Sequence, residues 1–467
     1  MLSSPISPKR ARSKAWTWLA LVLLLGFAAY LRFTAVAETV VDHPVRADAR
    51  DYVTYAYNLK FRDTYSRAMV DERSPPPAPD AVRSPGYPLF LAIFLDNPPT
   101  FGNLDAVLRF QAVLSLATVA LVFFLARQVM TGPWALLPTA LTAASPHMVN
   151  LNVYLLSEVL FSLLLVVSIL AIHIASSRSI PGRALIAGGV SGITYLVRPT
   201  ALLLPVVAIL HFIHVGLSRR IRISTWFLIG FLLACGPWLA WKTLAVQQGG
   251  SDRLQINFLH HGMYPGFVYQ GKTESFGFPY RHDPRAKEIS QDTHSVLLEI
   301  QRRFREEPER HLQWYLVGKP LMLWSWNIVQ GMGDSFIYPV KSTPYASNKA
   351  FQLSHQLMRW LHVPITMLAF TGILLIFLPG CRQVMDIRKL RSLQLLATTL
   401  LLLTGFHMIG TPFPRYALPA YPLLYVMAVA TFWLLISAAG SRLRGAWSTT
   451  QSGNASITTD LPKPEAP

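Results

Sequence analysis

Apolar runs recur along this chain, separated by short basic segments and by two long polar ones. A helix needs about 20 mostly apolar residues to cross a bilayer. Runs that meet or nearly meet this length cover 16–36, 107–129, 134–150, 154–175, 184–197, 200–217, 226–245, 361–378, 393–409 and 417–438. The run 184–197 is short and rich in glycine, so its ends are the least defined. The pattern predicts an all-α integral membrane protein with about ten transmembrane helices (roughly nine to thirteen).

The basic segments order these helices. With the N-terminal side inside, one face of the membrane receives Lys9, Arg10, Arg12 and Lys14, then Arg127, then Arg178 and Arg183. Arg219, Arg220 and Arg222 follow, then Arg382, Arg388, Lys389 and Arg391, then Arg442 and Arg444. Every short basic segment falls on the same side, which is the signature of a cytoplasmic face. The expected topology is N-in and C-in. A wrong helix count breaks this alternation unless two errors cancel.

Two long loops then face outward, at 37–105 and 246–360. The second holds "SVLLEIQRRFREEPERHLQWYLVGKPLMLWSWNIVQ", whose apolar spacing predicts amphipathic helices broken near Pro308. Trp314, Trp324 and Trp326 suit a membrane interface. The alternative is that 312–328 re-enters the membrane, which Lys319-Pro320 disfavours. The chain thus divides into a transmembrane module at 1–245, an outward cap at 246–360, C-terminal helices at 361–440 and a polar, disordered tail at 441–467.

Composition agrees. The 467 residues are 52% hydrophobic and 14% charged, against about 25% charged in soluble proteins. The net charge of +18 invites a nucleic-acid reading, but the cations sit between apolar runs as topology requires, so no nucleic-acid partner is expected. Cys235 and Cys381 are the two cysteines, too few for a disulfide framework or a cysteine metal site. The basic N-terminus followed by an apolar run lacks a convincing cleavage site and reads as an uncleaved first helix.

Charges near lipid default to function or to pairing, and here they gather at the outward helix ends. Arg32, Glu158, Arg198, His407 and Arg415 all lie there. Close by is "ADARDYVTYAYNL", Ala47 to Leu59, with two aspartates and three tyrosines. On a helix Asp48, Tyr52 and Tyr55 share one face, with Asp51 at its edge. Structural roles are open to each. Asp48 can be the N-cap of a helix over 49–59, Glu158 a snorkelling residue, Arg198 and Arg415 interface anchors, Tyr52 and Tyr55 an aromatic belt, and Pro85 and Pro88 of "RSPGYP" a re-entry turn. His43, His260, His261 and His282 with Asp283 lack helical metal-ligand spacing and read as solvated loop residues. A secondary transporter places its charges at the bilayer midplane between repeats. This chain has no visible repeat and has large outward loops, which suits an enzyme working at the outer surface.

The order of five motifs adds a resemblance: the D-x-x-x-Y helix, "RSPGYPLFLAIF" (83–94), "LLSEVLFSLLLVV" (155–167), "YLVRPTALLLP" (195–205) and "PRYALPAYPLL" (414–424). The chain resembles the C-class membrane glycosyltransferases, most of all the bacterial relatives of protein O-mannosyltransferases and lipid A aminoarabinose transferases. The likeness covers roughly the first 245 residues and the last 60. It implies a polyprenyl-phosphate-sugar donor used on the periplasmic face of a bacterial inner membrane, with a glycan, lipid or protein acceptor. It further implies single displacement with inversion and a catalytic carboxylate in the first outward loop. Asp48 matches that position, with Asp51 as the alternative. Such a carboxylate takes the acceptor proton, and the fixed charge of arginine suits the departing lipid phosphate. Arg83, Arg198 and Arg415 are the candidates, Arg32 a weaker fourth, with Tyr52, Tyr55, Tyr87 and Glu158 completing the expected site. Some relatives use a divalent metal and others do not, so a metal stays open. A transporter or flippase of lipid-linked sugars is the alternative function, and a polysaccharide polymerase or ligase is a third.

Overall fold

The computed structural model describes residues 8–69, 74–178, 180–214, 216–246, 252–329, 331–381 and 385–437. The predicted polar tail at 441–467, with Arg442 and Arg444, lies outside the described residues, as does Arg382.

The chain is an all-α integral membrane protein. Helix α1 (Pro8–Glu38) leads through β1 (Val40–Val41) to α2 (Ala47–Phe61), α3 (Gly86–Ala92) and α4 (Phe101–Ala126). Next come α5 (Leu136–Ala144), α6 (Pro146–Asn150), α7 (Glu158–Arg178), α8 (Pro181–Val197), α9 (Leu203–Phe212) and α10 (Leu217–Ala245). The second long loop folds as α11 (Asp252–Gly262), α12 (Ala286–Ile289), α13 (Thr293–Glu306), α14 (Pro308–Gln313) and α15 (Lys319–Leu323). It then runs through β2 (Val340–Ser342) and α16 (Pro344–Ser347). The long helices α17 (Lys349–Leu375), α18 (Ile387–Ile409) and α19 (Pro414–Ser437) close the described chain.

Among the described residues seven helices are long and apolar enough to cross a membrane: most of α1, then α4, α7, α10, α17, α18 and α19. The other three apolar runs form shorter pieces. Proline breaks two of them. The run 134–150 breaks at Ser145-Pro146, where Ser145 leaves the helix and caps α6. The run 200–217 opens with a 3₁₀ turn at Pro199–Leu202 before α9, and 184–197 lies in the 17-residue α8.

Helices α8 and α10 touch backbone to backbone. A Cβ on Gly188 would lie 1.9 Å from the Phe227 carbonyl oxygen, and one on Gly230 would lie 2.0 Å from that of Leu185. Lipid gives no hydrophobic drive between helices, so small residues that allow close approach hold such pairs together. Because α8 ends at Val197, this contact fixes the height of Arg198.

The second loop is a folded cap. As predicted, its amphipathic segment breaks at Pro308, between α13 and α14. Trp314 and Trp324 are buried in protein. Trp314 donates to the Gly262 carbonyl at 2.9 Å, and Trp324 to Thr404 at 3.1 Å. The cap grips the end of α18: Lys319 donates to the Met408 carbonyl at 2.9 Å, and Thr411 to the Phe258 carbonyl at 2.6 Å. Burial without a carboxylate neighbour pushes the Lys319 ammonium down to about 6. A two-stranded antiparallel ladder, Val40 with Ser342 and Val41 with Val340, joins the cap to the first long loop.

Candidate active site

Helix α2 begins two residues earlier than an Asp48 cap requires, at Ala47. Arg46 stands at the N-cap and makes no side-chain cap bond, so Asp48 sits in the first turn. The expectation of Asp48 as N-cap is therefore corrected. Its carboxylate is used elsewhere. Ala47 has φ +45°, a left-handed conformation that costs an L-residue about 1–2 kcal/mol. That strain lies beside the residue on which the site converges.

Both Asp48 oxygens meet arginines. Arg83 Nη2 donates to Oδ1 at 2.6 Å, and Arg415 Nη2 donates to Oδ2. Arg83 also binds Asp51 Oδ2 through Nε at 3.1 Å and Nη2 at 3.0 Å. Arg415 reaches Glu158 Oε1 through Nε at 2.7 Å, and Arg198 Nη1 lies 3.6 Å from the same oxygen. Three carboxylates and three arginines from α2, the turn before α3, α7, the end of α8 and α19 thus form one network.

Accessibility separates the acids. The Glu158 side chain is 1% exposed and Asp51 14%, whereas Asp48 is 24% exposed. Burial alone would push the Asp48 carboxyl up. Arg415 and Arg83 outweigh that effect and hold it well below the usual carboxylate range.

Local packing explains how Arg83 and Arg198 reach the same network. Pro85 and Gly86 turn the chain after Arg83. A Cβ on Gly86 would lie 2.8 Å from the backbone of Leu196, so only glycine lets this turn rest on the end of α8. The Arg83 carbonyl accepts from Tyr65 at 3.0 Å. Tyr65 packs edge-on against Trp238 and Trp241 of α10.

The tyrosines divide. Tyr52 stays at the centre, with Arg83 5.6 Å above its ring and its hydroxyl 3.4 Å from Ser157. Tyr87 packs edge-on against Tyr52 and donates to Gln111 on α4 at 2.6 Å, so it supports Tyr52 from behind. Tyr55 turns away and donates to Asp80. Asp80 also accepts from Ser66 at 3.2 Å and from the Arg67 amide at 2.9 Å, which ties the first long loop together. Arg32 is not brought to the network. Fully buried, it donates to Ser115 and to the Thr142 and Ala143 carbonyls, closing the end of α5.

Residues 83–241 match the family of dolichyl-phosphate-mannose-protein mannosyltransferases. The chain resembles these membrane glycosyltransferases. The matched stretch holds Arg83, Tyr87, Glu158 and Arg198 and leaves out Asp48 and Arg415. No curated protein matches the chain. Among solved structures, the archaeal oligosaccharyltransferase AglB from Archaeoglobus fulgidus, in complex with an inhibitory peptide and a dolichol-phosphate, aligns at 11% identity and a TM-score of 0.48. The alignment covers 97% of this chain and 53% of that one. An apo form from the same organism aligns at 11% identity and a TM-score of 0.47, covering 94% and 52%. The chain spans about half the length of these structures.

Two further residues join the site without a signal in the apolar pattern. Tyr338, delivered from the cap just before β2, lies in the field of Arg415, Asp48 and Glu158, with Arg46 5.7 Å over its ring. Burial pushes its hydroxyl up to about 12, so it is a neutral donor at ordinary pH. Tyr416, next to Arg415 in "PRYALP", places its ring 5.3 Å from the Arg198 guanidinium. The carboxylates of the network face guanidinium groups. Among the described residues no three His, Cys, Asp or Glu side chains gather as a metal set.

Proposed function

We propose that the protein is a glycosyltransferase that moves a sugar from a polyprenyl-phosphate-linked donor to an acceptor hydroxyl on the extracytoplasmic face of the membrane. The observation that supports it is the convergence of Arg83, Arg198 and Arg415 on Asp48, Asp51 and Glu158 at one end of the helix bundle. The mannosyltransferase match over 83–241 agrees with it.

In this reading Asp48 is the base. It is the most accessible of the three acids and belongs to the outward loop. At rest its lone pairs are held by Arg83 and Arg415. A lipid phosphate offers the forked guanidinium donors an alternative bidentate partner. As it engages them, Asp48 is released and its proton affinity returns toward that of an ordinary carboxylate. The acceptor oxygen then bonds to the anomeric carbon while the bond from that carbon to the phosphate oxygen breaks. The acceptor proton passes to Asp48, and the electron pair leaves on the lipid phosphate, which the arginines neutralise. Displacement from one side inverts the anomeric centre. Glu158, almost fully buried, positions Arg415 and Arg198. Tyr52 and the neutral Tyr338 flank the base.

The test is purified protein in liposomes with a panel of polyprenyl-phosphate sugars and an envelope extract as acceptor. Sugar transfer with release of polyprenyl phosphate is expected. Movement of the lipid-linked sugar between leaflets with no transfer for any donor contradicts the proposal.

A further inference from the structure

A cavity of about 600 Å³ opens at the other end of the bundle. It lies where α4, α7 and α9 end and α18 begins. Glu158 opens α7, and the cavity residues His173 and Ser176 lie in its last turns. A helix of 21 residues is on the order of 30 Å long, about the thickness of a bilayer core. The cavity therefore faces the opposite membrane surface from the Asp48 network.

Its lining is cationic. Arg127 follows α4, and Arg388, Lys389 and Arg391 lie in the first turns of α18. The one carboxylate in the lining, Asp386, is engaged as the α18 cap, accepting from the Arg388 amide at 2.8 Å. Among the described residues Arg127, Lys389 and Arg391 form no ion pair. The wall between these cations is neutral and polar. Ser392 meets His173 at 3.2 Å, and Ser176 meets His211 at 3.0 Å. These bonds join α7 to α18 and to α9 and hold the cavity open in shape. The near neighbours of these lining residues in the chain, Phe124, Ile174, Ile213 and Ile387, are exposed and give the same helix ends an apolar rim.

Topology alone asks only for positive residues at helix ends. It does not ask that they enclose a cavity with a hydrogen-bonding wall and an apolar rim. Basic pockets between transmembrane helices suit phosphate-bearing headgroups. We propose that this cavity binds the phosphate of an anionic lipid from the leaflet opposite the candidate active site, with its acyl chains on the apolar rim. The proposal rests on the membrane-spanning helices and not on the glycosyltransferase reading.

The full chain in neutral detergent, titrated with dioctanoyl phosphatidylglycerol, dioctanoyl phosphatidylcholine or inorganic phosphate, provides the test by thermal unfolding. Phosphatidylglycerol is expected to raise the midpoint saturably and phosphatidylcholine to leave it unmoved. With about 1 kcal/mol for each cation near the headgroup, Arg127→Gln with Arg391→Gln weakens the apparent affinity about thirtyfold. Arg127→Gln alone, at an exposed position on a separate element, weakens it in the same direction. A saturable shift by inorganic phosphate that the double variant abolishes also supports a phosphate site and assigns a soluble source. Equal shifts by both lipids, or a phosphatidylglycerol shift retained in the variants, overturn the proposal. So does a shift abolished by Asp48→Asn alone, which would place the lipid in the Asp48 network.

Discussion

Asp48 and Arg415 are separated by 367 positions in the sequence and paired in the fold. Arg83 takes the other oxygen of the same carboxylate. The candidate base is thus fully engaged at rest, and the groups that engage it are those expected to receive the donor phosphate. Donor binding and release of the base become one event, so free donor-binding groups and a free base do not coexist in a solvated site.

The pH dependence follows from that coupling. Burial pushes the Asp48 carboxyl up, but Arg415 and Arg83 more than offset it, so its folded value is depressed. A depressed value means the ionised form contributes stability above the unfolded value of about 3.9, and that contribution is lost as pH falls through the folded value. The free enzyme is reported by kcat/KM. Its profile should show no acid limb from Asp48 at or above about pH 4. The acid limb of kcat, measured with donor bound, should lie higher, toward the usual carboxylate range. A kcat/KM profile falling through a group near pH 6 would count against a doubly clamped Asp48.

The arginines should separate by burial. Arg83→Gln leaves Asp48 held by Arg415 and removes charge-assisted bonds worth roughly 1.5–3 kcal/mol each. The donor KM is expected to rise on the order of 10- to 100-fold with folding retained. Arg415→Gln strands Glu158, 1% exposed, with only Arg198 at 3.6 Å. Breaking such a buried pair costs about 3–5 kcal/mol, so this variant should lose stability as well as activity. Thermal unfolding in detergent beside donor kinetics reads both.

Tyr55 and Tyr52 should differ although they lie one turn apart. Tyr55→Phe removes a buried donor to Asp80 and is expected to cost roughly 1–3 kcal/mol of stability with donor KM unchanged. Tyr52→Phe loses only a 3.4 Å contact and keeps the ring under Arg83. Tyr52→Ala removes that ring and should raise donor KM. Donor kinetics with comparable KM for Tyr52→Ala and Tyr55→Phe would refute the division.

Gly262 joins the cap to the turn that delivers Arg415. A Cβ there would lie 2.2 Å from the Gly410 carbonyl oxygen, which is backbone and has no flexible end to give way. Gly262→Ala should loosen the cap from α18, a change of about 1–3 kcal/mol by overpacking, and expose 252–262 to protease. A variant as protease-resistant as the parent would show that the contact does not hold the cap.

Much of the charged network was legible before the fold. Glu158, Arg198 and Arg415 stand at helix ends where a charge near lipid needs a reason, and the family resemblance points to Asp48 and Arg83. The structure brings these five together, while Arg32, at another helix end, pairs elsewhere. The tyrosines were less legible. A shared helix face places Tyr52 and Tyr55 on one side, but it does not say that Asp80, in a proline-rich stretch without periodicity, takes the Tyr55 hydroxyl. Tyr338 was invisible for a similar reason. It arrives through the β1–β2 ladder, a long-range pairing with no local signal. Helix positions followed the apolar runs, but Pro146 and Pro199 broke two of them and α10 and α17 start well before theirs, at Leu217 and Lys349, because hydropathy reports the solvent a segment prefers and not the continuity of its backbone.

The central claim, that Asp48 is the base for sugar transfer from a lipid phosphate, is tested most directly by single-turnover transfer with Asp48→Asn and Asp51→Asn at saturating donor. Asparagine keeps the shape of the side chain and removes its basicity. Asp48→Asn is expected to lower the chemical step by about 10²- to 10⁴-fold, while Asp51→Asn, whose carboxylate meets Arg83 alone, chiefly weakens donor binding. An Asp48→Asn protein that transfers sugar at the parent rate would contradict the claim.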